Sequence, residues 1–258
     1  MRLLLTASLL FTFPALAAMV SKPVAYKAGA AALEGVLIYD DAQKSPRPGL
    51  VLVPNWMGIN EANLKQAREV AGQKYVVFVA DMYGKAVRPK TMDEAGKASG
   101  AVKADRKLMR ERINKALETL VAQAKTAPVD AGKLAAIGFC FGGTSALELA
   151  RSGAKVAGVV SFHGGLSSPT PDDAKAIKAR VLALHGADDP FTPPEEVKAF
   201  EEEMRKAKVD FELDVYGGAV HGFTDPDAKM PGQAMYDPKV SRRAFQRMET
   251  FLAEAFTE

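Results

Sequence analysis

Leu134-Ala135-Ala136-Ile137-Gly138-Phe139-Cys140-Phe141-Gly142-Gly143, continuing into Thr144-Ser145-Ala146-Leu147-Glu148-Leu149-Ala150, reads as three elements in succession. The first four residues form an apolar run that suits a buried strand, and the stretch from Thr144 has the composition of a helix. Between them the only cysteine of the chain sits among closely spaced glycines. Strand, sharp turn and helix in this order describe an elbow that presents a nucleophile at its tip. Glycines suit the flanks because a Cβ there would collide with the neighbouring strand or helix and hinder a positive φ. A helix start beside the sulfur supplies partial positive charge and free N–H groups, which favour a thiolate.

Outward from this stretch, residues 36–39 and 50–53 are short β-rich runs separated by the turn-forming Asp40-Asp41-Ala42-Gln43-Lys44-Ser45-Pro46-Arg47-Pro48. Asn60 is placed to cap a helix running to about residue 72, and residues 75–80 form a continuous apolar run typical of a fully buried parallel strand. Thr91-x-x-Glu94 resembles a capping box. Ile113, Leu117, Leu120, Val121 and Ala124 share a helical face, so a long helix is expected here, broken near Gly100. Residues 156–162 and 181–185 read as two more buried strands, and Pro193-Pro194-Glu195-Glu196 as a helix start. Phe211, Leu213 and Val215 alternate with mostly charged residues, as in a strand with one face exposed, and a last helix packs through Phe245, Met248, Leu252 and Ala255. Strands alternating with helices predict an α/β fold, a mostly parallel sheet with helices on both faces, in a single domain.

Met1-Arg2 is a short basic start, the stretch from Leu3 to Phe13 is largely apolar, and Ala15-Leu16-Ala17 offers small residues to a signal peptidase. Residues 1–18 are therefore expected to be a cleaved signal, leaving a domain over residues 19–258 in the periplasm or outside the cell. The leader is too short to span a bilayer as a mature helix, and no later segment is long and apolar enough, so no membrane association is expected after cleavage. The formal charge of the 258-residue chain is +3 and falls by one with Arg2, and no basic run is interleaved with aromatics, so no nucleic-acid partner is expected. A single cysteine forms no internal disulfide, leaving an inert buried group, an intermolecular link or a reactive thiol.

In an open α/β sheet reactive groups gather in the loops at the carboxyl ends of strands. Three such loops carry Cys140, then Gly186-Ala187-Asp188-Asp189-Pro190-Phe191-Thr192-Pro193, then Gly217-Gly218-Ala219-Val220-His221-Gly222-Phe223. Nucleophile, acid and histidine in that order match the α/β-hydrolase triad. Cys140 would attack a carbonyl, His221 would hold the thiol proton and later protonate the leaving group, and a carboxylate would fix the imidazole and support its charge.

The elbow, the Gly-x-x-Asp-x-x-x-Pro stretch and the close His-Gly-Phe together resemble the dienelactone hydrolase family of α/β-hydrolases, over nearly all of the chain beyond about residue 30. The resemblance implies the α/β-hydrolase fold, hydrolysis of a small carboxylic ester or lactone through a cysteinyl thioester, and Asp189 as the acid. It also implies an oxyanion hole from the N–H groups of Trp56 and Phe141. Two departures stand out. The family's glutamate that contacts the cysteine falls on Asn55, which cannot accept a proton, so activation is left to His221 and the helix start. The two arginines that grip the substrate carboxylate in dienelactone hydrolase fall on Lys85 and Asp225, which favours a neutral or weakly polar substrate.

Asn55, Lys85, His163 and Phe191 are expected to line the substrate pocket. His185, at a strand end, is expected to satisfy loop carbonyls, and Asp188 to serve a turn. The three histidines lack metal-ligand spacing, so neither a metal nor another cofactor is expected. A small-molecule ester or lactone is the expected partner, for a monomer or weak dimer. Three other readings fit the same residues: organophosphate hydrolysis by the same triad, a binding protein that keeps the pocket but not the chemistry, and a thiol-redox protein cycling through sulfenic acid.

Overall fold

The structure, a computed structural model, describes residues 19–257. The expected signal over residues 1–18 lies outside them. In chain order the elements are β1 (Met19–Ala28), β2 (Ala31–Asp40), β3 (Arg47–Val53), α1 (Glu61–Ala71), β4 (Val76–Val79), α2 (Met92–Ala104), α3 (Arg106–Gln123), β5 (Val129–Phe139), α4 (Phe141–Arg151), β6 (Gly158–Phe162), β7 (Arg180–Gly186), α5 (Pro194–Ala207), β8 (Phe211–Tyr216), β9 (Lys229–Met230), β10 (Ala234–Met235) and α6 (Pro238–Ala255).

Eight strands make one sheet in the order β1-β2-β4-β3-β5-β6-β7-β8. β1 and β2 form an antiparallel hairpin, β2 pairs antiparallel with β4, and every pair from β4 to β8 is parallel. The central strands are buried on both faces, so they read as continuous apolar runs. Their side chains split by alternation. Val51, Phe78, Ala136, Val159 and Val181 join residues of α2, α3, α4 and α5 in one core, while Leu50, Val77, Ile137, Val160 and Leu182 join residues of α1 and α6 in the other. The expected α/β architecture is thus observed.

From β3 the chain crosses to β4 on one side, and from β5 it crosses to β6 on the other, although β3 and β5 are neighbours. The loops leaving these two strands diverge at the carboxyl ends of neighbouring strands, where open α/β sheets form the crevice that binds ligands. The loop after β3 begins at Pro54, and the one after β5 is Cys140 alone.

Local chemistry explains most boundaries. Asn60 accepts from Asn63 N as the cap of α1. Thr91 accepts from Glu94 N, and Glu94 accepts from Lys90 N, giving α2 a reciprocal cap. The break in the long helix is at Asp105 rather than Gly100. Asp105 ends α2 and caps α3 by accepting from Leu108 N at 2.9 Å, whereas Gly100 lies inside α2. β1 and the β9–β10 hairpin have no counterpart in the sequence reading. β1 carries Pro23 and polar residues, which an edge strand tolerates.

Candidate active site

Cys140 has φ 54° and ψ −116°, a conformation L residues rarely adopt, and it directly precedes α4. Strain of this kind is of order 1–3 kcal/mol and persists only where the surroundings over-determine it. Here the Cys140 N–H donates to Phe162 O at 2.9 Å, while its carbonyl accepts from Gly143 N and Thr144 N. A Cβ on Gly138 would overlap the Gly142 carbonyl, and a Cβ on Gly142 would overlap the carbonyls of Val53 and Pro54. The glycines therefore let the first turn of α4 sit against both β5 and the loop after β3. The half-buried thiol lies at the positive end of a fully buried helix whose first N–H groups have no intrahelical acceptor.

His221 lies in the loop after β8, and its Nδ1 is 2.8 Å from Asp189 Oδ2. Asp189 is buried, and its other oxygen accepts from Phe191 N at 2.8 Å. The adjacent Asp188 is exposed, and its N–H donates to Ala219 O, tying the loop after β7 to the loop after β8 rather than closing a turn of its own. The His221 backbone is strapped on both sides, its N–H donating to Gln233 O and its carbonyl accepting from Met235 N on the β9–β10 hairpin. The ring also interacts with the Cys140 sulfur. Burial acts against the Cys140 thiolate, but the hydrogen bond and charge of His221, the Phe141 N–H and the more distant Lys103 together hold the thiol below its ordinary range. Burial likewise acts against a charged His221, yet its bonds to Asp189 and Cys140 push it up to about 10. The two shifts run in opposite directions, the thiol down and the imidazole up, and each favours the charged form of its group.

The loop after β3 completes the crevice. Trp56 O accepts from the Tyr83 hydroxyl at 2.8 Å, and the Tyr83 ring lies 5.5 Å from that of Phe141. Tyr83 thus fixes the peptide next to both expected oxyanion donors, a role missed in the sequence. Its signal was its place in the loop after β4, where Asp81 accepts from the N–H groups of Tyr83 and Gly84. Asn55 turns to neighbours other than the sulfur. Its Oδ1 accepts from Met57 N and Asn63 Nδ2, and its Nδ2 donates to Asp225 Oδ2 at 3.2 Å. Two of the three positions that depart from the family pattern, Asn55 and Asp225, are therefore bonded to each other.

The remaining expected pocket residues divide. Phe191 stands 54% exposed with its ring edge-on to His221 at 5.2 Å, at the mouth of the crevice. His163 is buried behind His221 rather than open to a ligand. Lys85 is drawn away from the pocket role because its ammonium pairs with Glu34 on β2 at 2.8 Å. His185 does not bond a loop carbonyl through Nδ1, which is buried without a partner among the described residues, and burial lowers its pKa. Among the described residues no group of three His, Cys, Asp or Glu could hold a metal ion, and no helix is long and apolar enough to cross a membrane.

Comparison with known proteins agrees with this architecture. The model of the dienelactone hydrolase family matches residues 33–256. A solved structure named m3DLH is 40% identical, with a TM-score of 0.86 over 92% of this chain and 99% of its own. A dienelactone hydrolase-like promiscuous phosphotriesterase from metagenomic libraries is 39% identical, with a TM-score of 0.86 over 93% of this chain and 99% of its own. A Synechocystis protein provisionally named a carboxymethylenebutenolidase is 26% identical over 215 residues, 78% of this chain and 84% of its own length.

Proposed function

The chain belongs to the dienelactone hydrolase family and is a carboxylic ester hydrolase, and from that premise we propose that it cleaves small esters or lactones through Cys140, His221 and Asp189. The observation that carries this reading is the relay from Asp189 through His221 to a strained cysteine at the crevice between β3 and β5.

The Cys140 thiolate attacks the ester carbonyl carbon, and a C–S bond forms as the carbonyl π electrons move to oxygen. The N–H groups of Trp56 and Phe141 receive that oxyanion, each donor of this type being worth about 3 to 4 kcal/mol. The intermediate collapses with cleavage of the C–O bond, and the His221 imidazolium protonates the leaving alcohol. Water then attacks the thioester as neutral His221 takes its proton, the C–S bond breaks, and the acid leaves with the thiolate–imidazolium pair restored. Asp189 holds the imidazole orientation throughout. With Lys85 engaged by Glu34 and Asp225 in place of an arginine, the favoured substrates are neutral or weakly polar. Cys140→Ala should lose p-nitrophenyl ester turnover while keeping the fold; turnover at the parent rate in that variant defeats the proposal.

The 39% identical phosphotriesterase favours a second use of the same site. The thiolate would attack phosphorus, displace an aryl alcohol protonated by His221, and release the phosphoryl group to water. This activity would disappear with ester turnover in Cys140→Ala. Residues 1–18 are read as a signal removed on export, so the exported protein should begin at about residue 18 or 19 by intact mass. A retained leader on exported protein would refute that assignment.

A further inference from the structure

His163 is a buried histidine that the reaction above does not use. It follows β6 directly, with φ 39° and its N–H donating to Leu184 O, so the backbone turns sharply just as the strand ends. The side chain is only 2% exposed. Its Nε2 is 2.8 Å from Thr224 Oγ1, itself buried, and its Nδ1 has no hydrogen-bond partner among the described residues. Its ring meets that of His221 at 5.2 Å and 65°, and that of Phe223 at 4.9 Å and 83°. Three contacts of one side chain thus fall on the short segment that carries the histidine of the triad.

We infer that His163 is a positioning residue for His221: a neutral imidazole, anchored on Thr224, that fixes the inner side of the His221 ring while Phe191 fixes the outer side. The inference rests on the triad reading and adds to it the reason His221 keeps one orientation while its proton comes and goes. Asp189 and Cys140 hold the two ring nitrogens, but those contacts alone leave the ring free to turn about the line joining them. The edge contacts of His163 and Phe191 remove that freedom. A neutral ring beside an imidazolium is also electrostatically tolerable, whereas a second cation would weaken the bond to the thiolate. No carboxylate pairs with His163: one nitrogen meets the Thr224 hydroxyl and the other has no hydrogen-bond partner among the described residues. Burial first, and then the charge of His221, hold its pKa well below the ordinary range. The titratable groups acting on the same ring system are Asp189 and Cys140 against His221, Lys103 at the sulfur, and His185, which interacts with both Asp189 and His221.

The test compares His163→Phe, Thr224→Val and Thr224→Ser with the parent, measuring kcat, KM, thermal midpoint and the pH dependence of Cys140 alkylation by iodoacetamide. His163→Phe and Thr224→Val should each lower kcat about tenfold with KM within about twofold. Each should also move the alkylation midpoint upward by about half a pH unit or more, because a loosened His221 supports the thiolate less. Thr224→Ser, which keeps the hydroxyl, should restore both. Folded variants with a lower thermal midpoint but parental kcat and an unmoved alkylation profile would overturn the inference and leave His163 as packing. If His163→Phe does not fold, Thr224→Val and its serine counterpart decide alone. Activity that survives Cys140→Ala would instead defeat the triad reading itself, so the two failures are distinguishable.

Discussion

Cys140 and His221 are each shifted by the other, and the direction of the two shifts defines a pH window. The thiol lies below its ordinary range, so its charge is present above that lowered value and lost as pH falls through it. His221 is raised to about 10, so its proton is present below that value and lost as pH rises through it. The ion pair is therefore favoured between the lowered thiol value and about 10. Alkylation of Cys140 by iodoacetamide should level off at lower pH than for an ordinary thiol, which gains about tenfold per pH unit below its pKa near 8.5. His221→Ala should return the profile to that of an ordinary thiol. An unaltered profile in His221→Ala would show that the helix start alone lowers the thiol.

At the scale of elements, the site is a junction of four loops whose mutual placement is fixed by contacts between backbones. Gly142 makes one of the closest of these. The first turn of α4 touches the carbonyls of Val53 and Pro54, where β3 passes into the loop bearing Trp56, and neither carbonyl is the end of a flexible side chain. Gly142→Ala should therefore push α4 and that loop apart. Overpacking of this kind is worth about 1–3 kcal/mol, which for a chain of this size lowers the melting midpoint by roughly 2–12 °C. Ester turnover should fall more steeply than stability, by about a hundredfold, because the oxyanion donors move with the loop. Retained turnover in a folded Gly142→Ala protein would separate the loop from the chemistry. The Asn55–Asp225 hydrogen bond ties the same loop to the segment carrying His221, across 170 positions of sequence. Behind the junction, Arg151 joins α4 to Glu203 of α5 and donates to Leu166 O in the loop that follows His163. Both partners are buried, so the pairing orients these elements more than it stabilises them.

Across the whole molecule, what could be read in the chain was what repeats locally. Buried parallel strands announce themselves as apolar runs, Asn60 and Thr91 announce helix starts, and the glycines around Cys140 announce the elbow. The loops after successive strands could then be searched for an acid and a histidine, and Asp189 and His221 lie at 2.8 Å. Features set by long-range geometry were not legible. Asp105 looked no more like a helix break than Gly100, because only packing shows that α3 must turn there to cover the sheet. Lys85 looked like a pocket cation until Glu34, 51 positions earlier, was seen beside it. Tyr83 and Thr224 carry no motif, and their importance lies in which neighbours the sheet order brings to them. That same order, with chain crossings diverging from β3 and β5, puts all four loops at one crevice. The claim that this crevice works through an acyl-cysteine is tested most directly by quenching the protein in mid-turnover with a p-nitrophenyl ester and measuring its mass beside Cys140→Ala. An acyl increment is expected on the peptide containing Cys140, with neither increment nor turnover in the variant. Full turnover in Cys140→Ala, with no acyl mass on Cys140 in the parent, would contradict it.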